Sequence, residues 1–205
     1  MRTSSVVLAL LASVFVTACS TSAKTYYYTL QSGQSGQSGQ SGQTDTPTAK
    51  EPAANPRLNN IAISALSLPE IVDRPQLVLR SGETQVLISD NHLWGQALKS
   101  EITRNLAAHL ARETGAAHVI LPGQAGLDDA EIKLAVDILR FDSVLGGAAT
   151  IEARWSVLRK GVAKSVSGYA LVRETASAAG YDAIVAAHSR ALARLSRDIA
   201  ATLKP

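Results

Sequence analysis

From Glu131 to Glu174 the chain alternates apolar and polar residues in three consecutive runs, and this pattern restricts the fold more than any other feature. In Glu131–Phe141, Ile132, Leu134, Val136 and Ile138 share one face. Thr150–Leu158 sets Ile151, Ala153, Trp155 and Val157 against Glu152, Arg154 and Ser156, and Ser165–Glu174 is a third long run. Gly146-Gly147 and Lys160-Gly161 mark the turns between them. Half-buried strands joined by short turns form an antiparallel meander, and its apolar face must be covered.

Two segments of helical period can supply the cover. Trp94, Leu98, Ile102, Leu106 and Leu110 recur every four residues, with Lys99, Arg104 and Arg112 off the stripe. The spacing predicts a helix over Asn91–Glu113, capped by Ser89 or Asp90 and stopped at Gly115. The second helix, Tyr181 to Leu203, carries Tyr181, Ile184, Val185, His188, Leu192, Leu195 and Ile199 on its stripe. Earlier strands are predicted at Asn60–Leu68 (Ile61, Ile63 and Ala65 on one face), Gln76–Arg80 and Thr84–Ser89, the last two joined through Ser81-Gly82-Glu83. A short strand, His118–Leu121, stops at Pro122. The expected fold is a single α/β domain: a mixed, largely antiparallel sheet flanked by two long amphipathic helices.

The chain has one cysteine, Cys19. Before it stand Arg2 and an apolar run from Val6 to Val16, too short to span a bilayer well, where about 20 apolar residues are needed. Val16-Thr17-Ala18-Cys19 resembles a bacterial lipobox, in which cleavage precedes a cysteine that is then acylated. Residues 1–18 are thus read as a lipoprotein signal peptide and Cys19 as the lipidation site. The alternative is an ordinary signal peptide with a stray cysteine. An exported cysteine without a disulfide partner favours the first reading. One acyl chain holds a protein only marginally and several hold it firmly. Ser20, rather than aspartate, follows the cysteine, which by resemblance to enterobacterial sorting favours the outer membrane.

Residues 19–30 are read as the anchor and a first strand, since Tyr26-Tyr27-Tyr28-Thr29-Leu30 is rich in β-formers. The expectation is that this segment docks on the sheet edge rather than serving as tether. Residues 31–57, the S-G-Q repeat and a Pro/Ala-rich stretch, read as a flexible loop, and 58–205 as the folded domain. Removing residues 1–18 deletes only Arg2 among the charges, so net charge falls from +3 to +2. No basic cluster with interleaved aromatics appears, which argues against a nucleic-acid partner.

Catalytic motifs are absent. There is no G-x-S-x-G elbow, phosphate loop, Gly-rich dinucleotide turn or H-E-x-x-H pair. His92, His109, His118 and His188 show no i, i+3 or i, i+4 spacing. His109 and His188 at helix-stripe edges suit structural roles. Asp128-Asp129 could bind a metal but better suits a solvated turn, and Asp142-Ser143 suits a turn as well. No catalytic residue, cofactor or metal site is expected.

Four stretches in order carry a family resemblance: Tyr27-Tyr28-Thr29-Leu30, Ile63–Arg80, the Trp94-led H-L-W-G-Q-A-L-K-S-E-I-T-R-N-L, and the closing helix Tyr181–Ala200. Together they resemble the ABC-type transport auxiliary lipoproteins, the PqiC-like proteins. The S-G-Q repeat departs from that pattern. The resemblance implies a non-enzymatic part of a lipid-trafficking machine. An inner-membrane transporter and a periplasm-crossing MCE-domain protein would be its partners, with this lipoprotein docking the conduit at the periplasmic face of the outer membrane. A homo-oligomeric ring coaxial with the conduit is expected. Asp73, Arg74, Pro75 and Gln76 are candidate partner or lipid contacts. Trp94 is another, although its place on a stripe also suits a core residue. The competing functions are a structural envelope lipoprotein that only tethers complexes, and a periplasmic hydrolase.

Overall fold

A computed structural model describes residues 23–33, 60–116 and 118–203. The stretch read as a signal peptide, Cys19, and nearly all of residues 31–57 lie outside them. The described residues form eight strands and two helices: β1 (Tyr26–Tyr28), β2 (Ile61–Ser67), β3 (Gln76–Arg80), β4 (Val86–Trp94), α1 (Leu98–Thr114), β5 (Val119–Ile120), β6 (Ile132–Ser143), β7 (Ala148–Arg159), β8 (Val166–Thr175) and α2 (Tyr181–Leu203).

The mixed α/β domain and its two helices are as expected, but the strands form two sheets rather than one. A five-stranded sheet has the order β5-β2-β6-β7-β8, and a three-stranded sheet the order β1-β4-β3. The meander β6-β7-β8 is antiparallel, whereas β2 lies parallel to both β5 and β6. In the smaller sheet β1 is parallel to β4, and β3 is antiparallel to it.

The alternation maps onto burial as the sequence requires. Ile132, Leu134, Val136 and Ile138 of β6 and Ile151, Ala153, Trp155 and Val157 of β7 are all buried. The β2 face is corrected: the register slips between Ile63 and Ala65, so Leu66 rather than Ala65 turns inward. A bulge inserts one residue and flips the following side chains.

The first helix is also corrected. Residues Asn91–Trp94 belong to β4, and α1 starts at Leu98 after Ala97, with no side-chain cap from Ser89 or Asp90. A spacing of four satisfies both a helix turn and two strand repeats, so Trp94 and Leu98 line up across the junction without sharing an element. Gly115 does end α1, at φ 72°.

α1 packs over β2 and β5, while α2 packs over β7 and β8 and against α1. α2 leaves the sheet where β8 finishes and ends at Leu203, whose carbonyl accepts from Arg159 at 2.8 Å. α1 ends beside β5, which pairs with the start of β2. The two helices therefore run the same way, from the end holding Ser143 and Thr175 toward the end holding Ile61 and Arg159. Leu98, Ile102, Leu106 and Leu110 interleave with Ile184, Leu192, Leu195 and Ile199 in one core. Among the described residues, no helix is long and apolar enough to cross a membrane.

Candidate functional site

The feature that the fold builds around is the segment from Tyr26 to Ser32. β1 docks at the edge of the small sheet, with Tyr26 opposite His92 and Tyr28 opposite Trp94. Its carbonyl at Tyr28 takes the Gly95 amide at 2.7 Å. A Cβ on Gly95 would come within 2.9 Å of the Thr29 methyl, so the close approach of the two chains uses the missing side chain.

Beyond β1 the chain is held between the helices. Leu30 is buried, and its amide donates to Glu101 Oε2 at 2.8 Å. Asn105 Nδ2 donates to the Leu30 carbonyl at 3.3 Å, and the Gln31 amide donates to Ser189 Oγ at 3.0 Å. Arg112 reaches the Ser32 carbonyl. Polar side chains from both helices thus replace the ladder bonds that an inserted segment would otherwise lack. Burial pushes the Glu101 carboxyl above its ordinary range, although the Leu30 amide and Arg104 oppose that shift.

Aromatic rings close the other side. The His92 ring is stacked between Tyr26, at 5.1 Å between centroids, and Tyr181, at 3.5 Å. Tyr28 OH and His92 Nδ1 are 2.7 Å apart, and Ser89 Oγ lies 3.0 Å from Tyr181 OH. His92, left unassigned by spacing, is the centre of a clasp between β1, β4 and α2.

The other candidates fall elsewhere. Trp94 is 5% exposed and meets Phe141 edge-on, which is a core position. Asp73-Arg74-Pro75-Gln76 sits at the β2–β3 turn. There the Val72 and Asp73 amides donate to the Pro69 carbonyl, and the Pro75 carbonyl takes the Trp94 amide. Gln76 opens β3, and Asp73 is exposed. Asp128 is exposed and pairs with Lys133 at 3.2 Å.

His188 is fully buried, stacked on Phe141 at 3.9 Å, with Nε2 2.8 Å from Ser143 Oγ. Desolvation pulls its pKa down to about 3, so it is neutral. Enclosed on every side, this Ser–His contact has no room for a substrate. Burial likewise lowers His109 to about 4, helped by Arg112 and Arg197. Asp142-Ser143 is not turn chemistry: both residues belong to β6. Asp142 pairs with Arg80 at 3.0 Å and Arg140 at 2.7 Å. Burial alone would raise its carboxyl, but these guanidinium bonds outweigh it and hold it below the usual range. Among the described residues no group of three or more His, Cys, Asp or Glu is placed to hold a metal.

Residues 42–200 match the sequence profile of the ABC-type transport auxiliary lipoprotein component family. The chain belongs to that family. Membership makes this domain a membrane-associated lipoprotein of a transport system. The matched span begins after β1, so the strap formed by Tyr28–Gln31 lies outside it. No curated protein matches the chain in sequence. An uncharacterized protein of known structure shares 18% identity over 89% of this chain and 100% of its own, with a TM-score of 0.67. A Xanthomonas campestris protein of the DUF330 family shares 21% identity over 73% of this chain and 88% of its own, with a TM-score of 0.57. These two share the fold. A PelC dodecamer from Paraburkholderia phytofirmans shares 14% identity over 71% of this chain and 91% of its own; its TM-score of 0.38 is too loose to carry over its assembly.

Proposed function

We propose that this auxiliary lipoprotein docks the periplasmic MCE conduit of an ABC-type transport system to the outer membrane, for movement of lipid or another hydrophobic molecule. The reading rests on the family match and on one structural observation. The strap at Tyr28–Gln31 is bonded to both helices, so little free chain separates Cys19 from the domain. Ser20 to Thr25 reach about 20 Å at full extension. A domain held that close to a bilayer suits a membrane-side adaptor better than a long tether.

The role is binding rather than catalysis. Cys19 carries the lipid, and the β2–β3 turn residues Asp73, Arg74, Pro75 and Gln76 are contacts to test, whereas the burial of Trp94 favours its place in the core. Self-association into a ring would give one small domain enough surface to meet a ring-shaped conduit, and closed cyclic symmetry is the economical route.

Affinity capture of the lipidated protein from outer membranes, with protein and lipid analysis of the eluate, tests the reading. An MCE-domain protein with co-purifying lipid is the expected result, and capture without either overturns it. The mass of the unlipidated domain across a concentration series, alone and with that partner, tests the ring. A strict monomer that binds its partner one to one would leave the simple tether standing.

A further inference from the structure

The end of the domain where the strap enters carries exposed apolar side chains that the core does not use. The β6–β7 turn presents Val144, 37% exposed, and Leu145, 39% exposed. The turn is closed by the Gly147 amide donating to the Val144 carbonyl at 3.0 Å and the Val144 amide donating to Ala148 at 3.1 Å. Gly146 takes φ 67°, and a Cβ on Gly147 would meet Val144 Cγ1 at 2.8 Å. The turn is therefore held in shape, and its two aliphatic side chains stay partly exposed.

This turn and the strap share one end. The Gly147 carbonyl takes the Ala176 amide at 2.9 Å, and Ala179 sits beside Gly146. That loop leads into Tyr181, whose ring stacks on His92, which in turn stacks on Tyr26. Tyr26 and Tyr27 are 43% and 68% exposed, and Lys24 Nζ lies 5.1 Å from the centre of the Tyr26 ring. An open cleft of about 620 Å³ between Arg80, Glu83, Arg140 and Val144 adjoins the turn.

We propose that this end is a membrane-contact face. Val144 and Leu145 enter the headgroup region of the bilayer that holds the Cys19 lipid, with Tyr26 and Tyr27 at its boundary. The proposal rests on the lipidation reading above. The occupant follows from reach: Lys24 is five residues from Cys19, about 18 Å at most, so the bilayer carrying the lipid lies at this end. Tyrosines, apolar in body and polar at the tip, suit that boundary. The opposite end, at the β7–β8 turn, is separated by the 23 residues of α2, about 34 Å. Charge adds little. Arg80 is bonded to Asp142 and the Glu83 carbonyl, and Arg140 is shared between Asp142 and Glu152. The apolar pair carries the contact, which makes it insensitive to salt.

The test uses the full lipidated chain in phospholipid vesicles, with and without brominated acyl chains. With Cys19 acylated, Leu145→Cys or Ala163→Cys supplies the one free thiol for an environment-sensitive fluorophore, and Tyr27→Cys is a second position on the contact face. Labels at 145 and 27 are expected to be quenched several-fold more than the label at 163, equally at low and high salt. Equal, water-like signals at all three positions, with acylation confirmed by mass, would overturn the proposal. Stronger quenching at 163 would overturn it too, placing the opposite end on the bilayer. Mass showing an unmodified Cys19 would reject the lipidation reading itself, and the contact face with it.

Discussion

Gly168 of β8 lies opposite Trp155 of β7, and the indole occupies the space a side chain would need. A Cβ at Gly168 would stand 2.2 Å from Trp155 Cζ2, 2.3 Å from Cε2 and 2.7 Å from Nε1. Carbon atoms rest about 3.5–4.0 Å apart, so Gly168→Ala must drive the ring back by more than about 1 Å. The ring has little freedom to retreat. It is 5% exposed, and its Nε1 donates to Thr202 Oγ1 at 3.1 Å across to α2. Overpacking of this kind costs about 1–3 kcal/mol. Losing the indole bond adds about 1 kcal/mol. The backbone gain of alanine over glycine in a strand, about 0.5–1 kcal/mol, runs the other way and is smaller. The expected net loss is about 2–3 kcal/mol, or about 5–10 °C in Tm for a domain of this size. Urea unfolding followed by tryptophan fluorescence measures it. Repeating the substitution in a Trp155→Leu background, followed by circular dichroism, isolates the pair. In that background the loss should nearly vanish. A loss under about 0.5 kcal/mol in the native background, or an equal loss in both, would refute the steric argument.

Other outcomes follow from the same structure. Cys19→Ala should leave the domain folded but release it from the membrane or block processing; unchanged acyl labelling and fractionation would contradict this. Amide exchange at Tyr28, Leu30 and Gln31 should be slow, and Glu101→Ala should speed it at Leu30 and its neighbours while sparing β6 and β7. Uniformly fast exchange from Tyr26 to Leu30 in the unmodified protein would show that the strap is not docked. His188 has a folded pKa of about 3 against 6.5 unfolded, so the unfolded chain binds the extra proton in between. The His188 contribution to stability is therefore full above about pH 6.5 and falls by up to about 1.4 kcal/mol per pH unit as pH drops toward 3. His188→Gln should make that limb shallower in a series of urea titrations between pH 7 and 4, with the His109 share remaining, and an unchanged slope would count against the assignment.

The meander and the closing helix were legible because each is governed by a local period: β6, β7 and α2 bury the residues their spacing selects. The sheet partition was not, since pairing Tyr26 with His92 joins residues 66 apart and depends on tertiary contacts that no local pattern encodes. The α1 start was misplaced because a four-residue spacing fits both strand and helix at Trp94 and Leu98. Cys19 lies beyond the described residues, so its lipidation rests on the lipobox resemblance and on family membership. The strap's partners did leave a trace. Glu101, Asn105 and Ser189 are buried polar residues on the two amphipathic helices. A polar residue set within an apolar stripe marks a place where something other than the core must be bonded.

The parallel pairing of β1 with β4 has a mechanical consequence. A protein fixed at its N-terminus feels any pull from its partner through that first strand. Force applied along β1, from Lys24, loads the β1–β4 bonds in shear, together with the Tyr28–Gly95 bond and the Leu30 and Gln31 bonds to the helices. All of these must stretch at once, whereas a terminal hairpin pulled across its strands would open one bond at a time. The attachment point is thus arranged as a lap joint, and a pull on the N-terminus is shared between the small sheet and both helices.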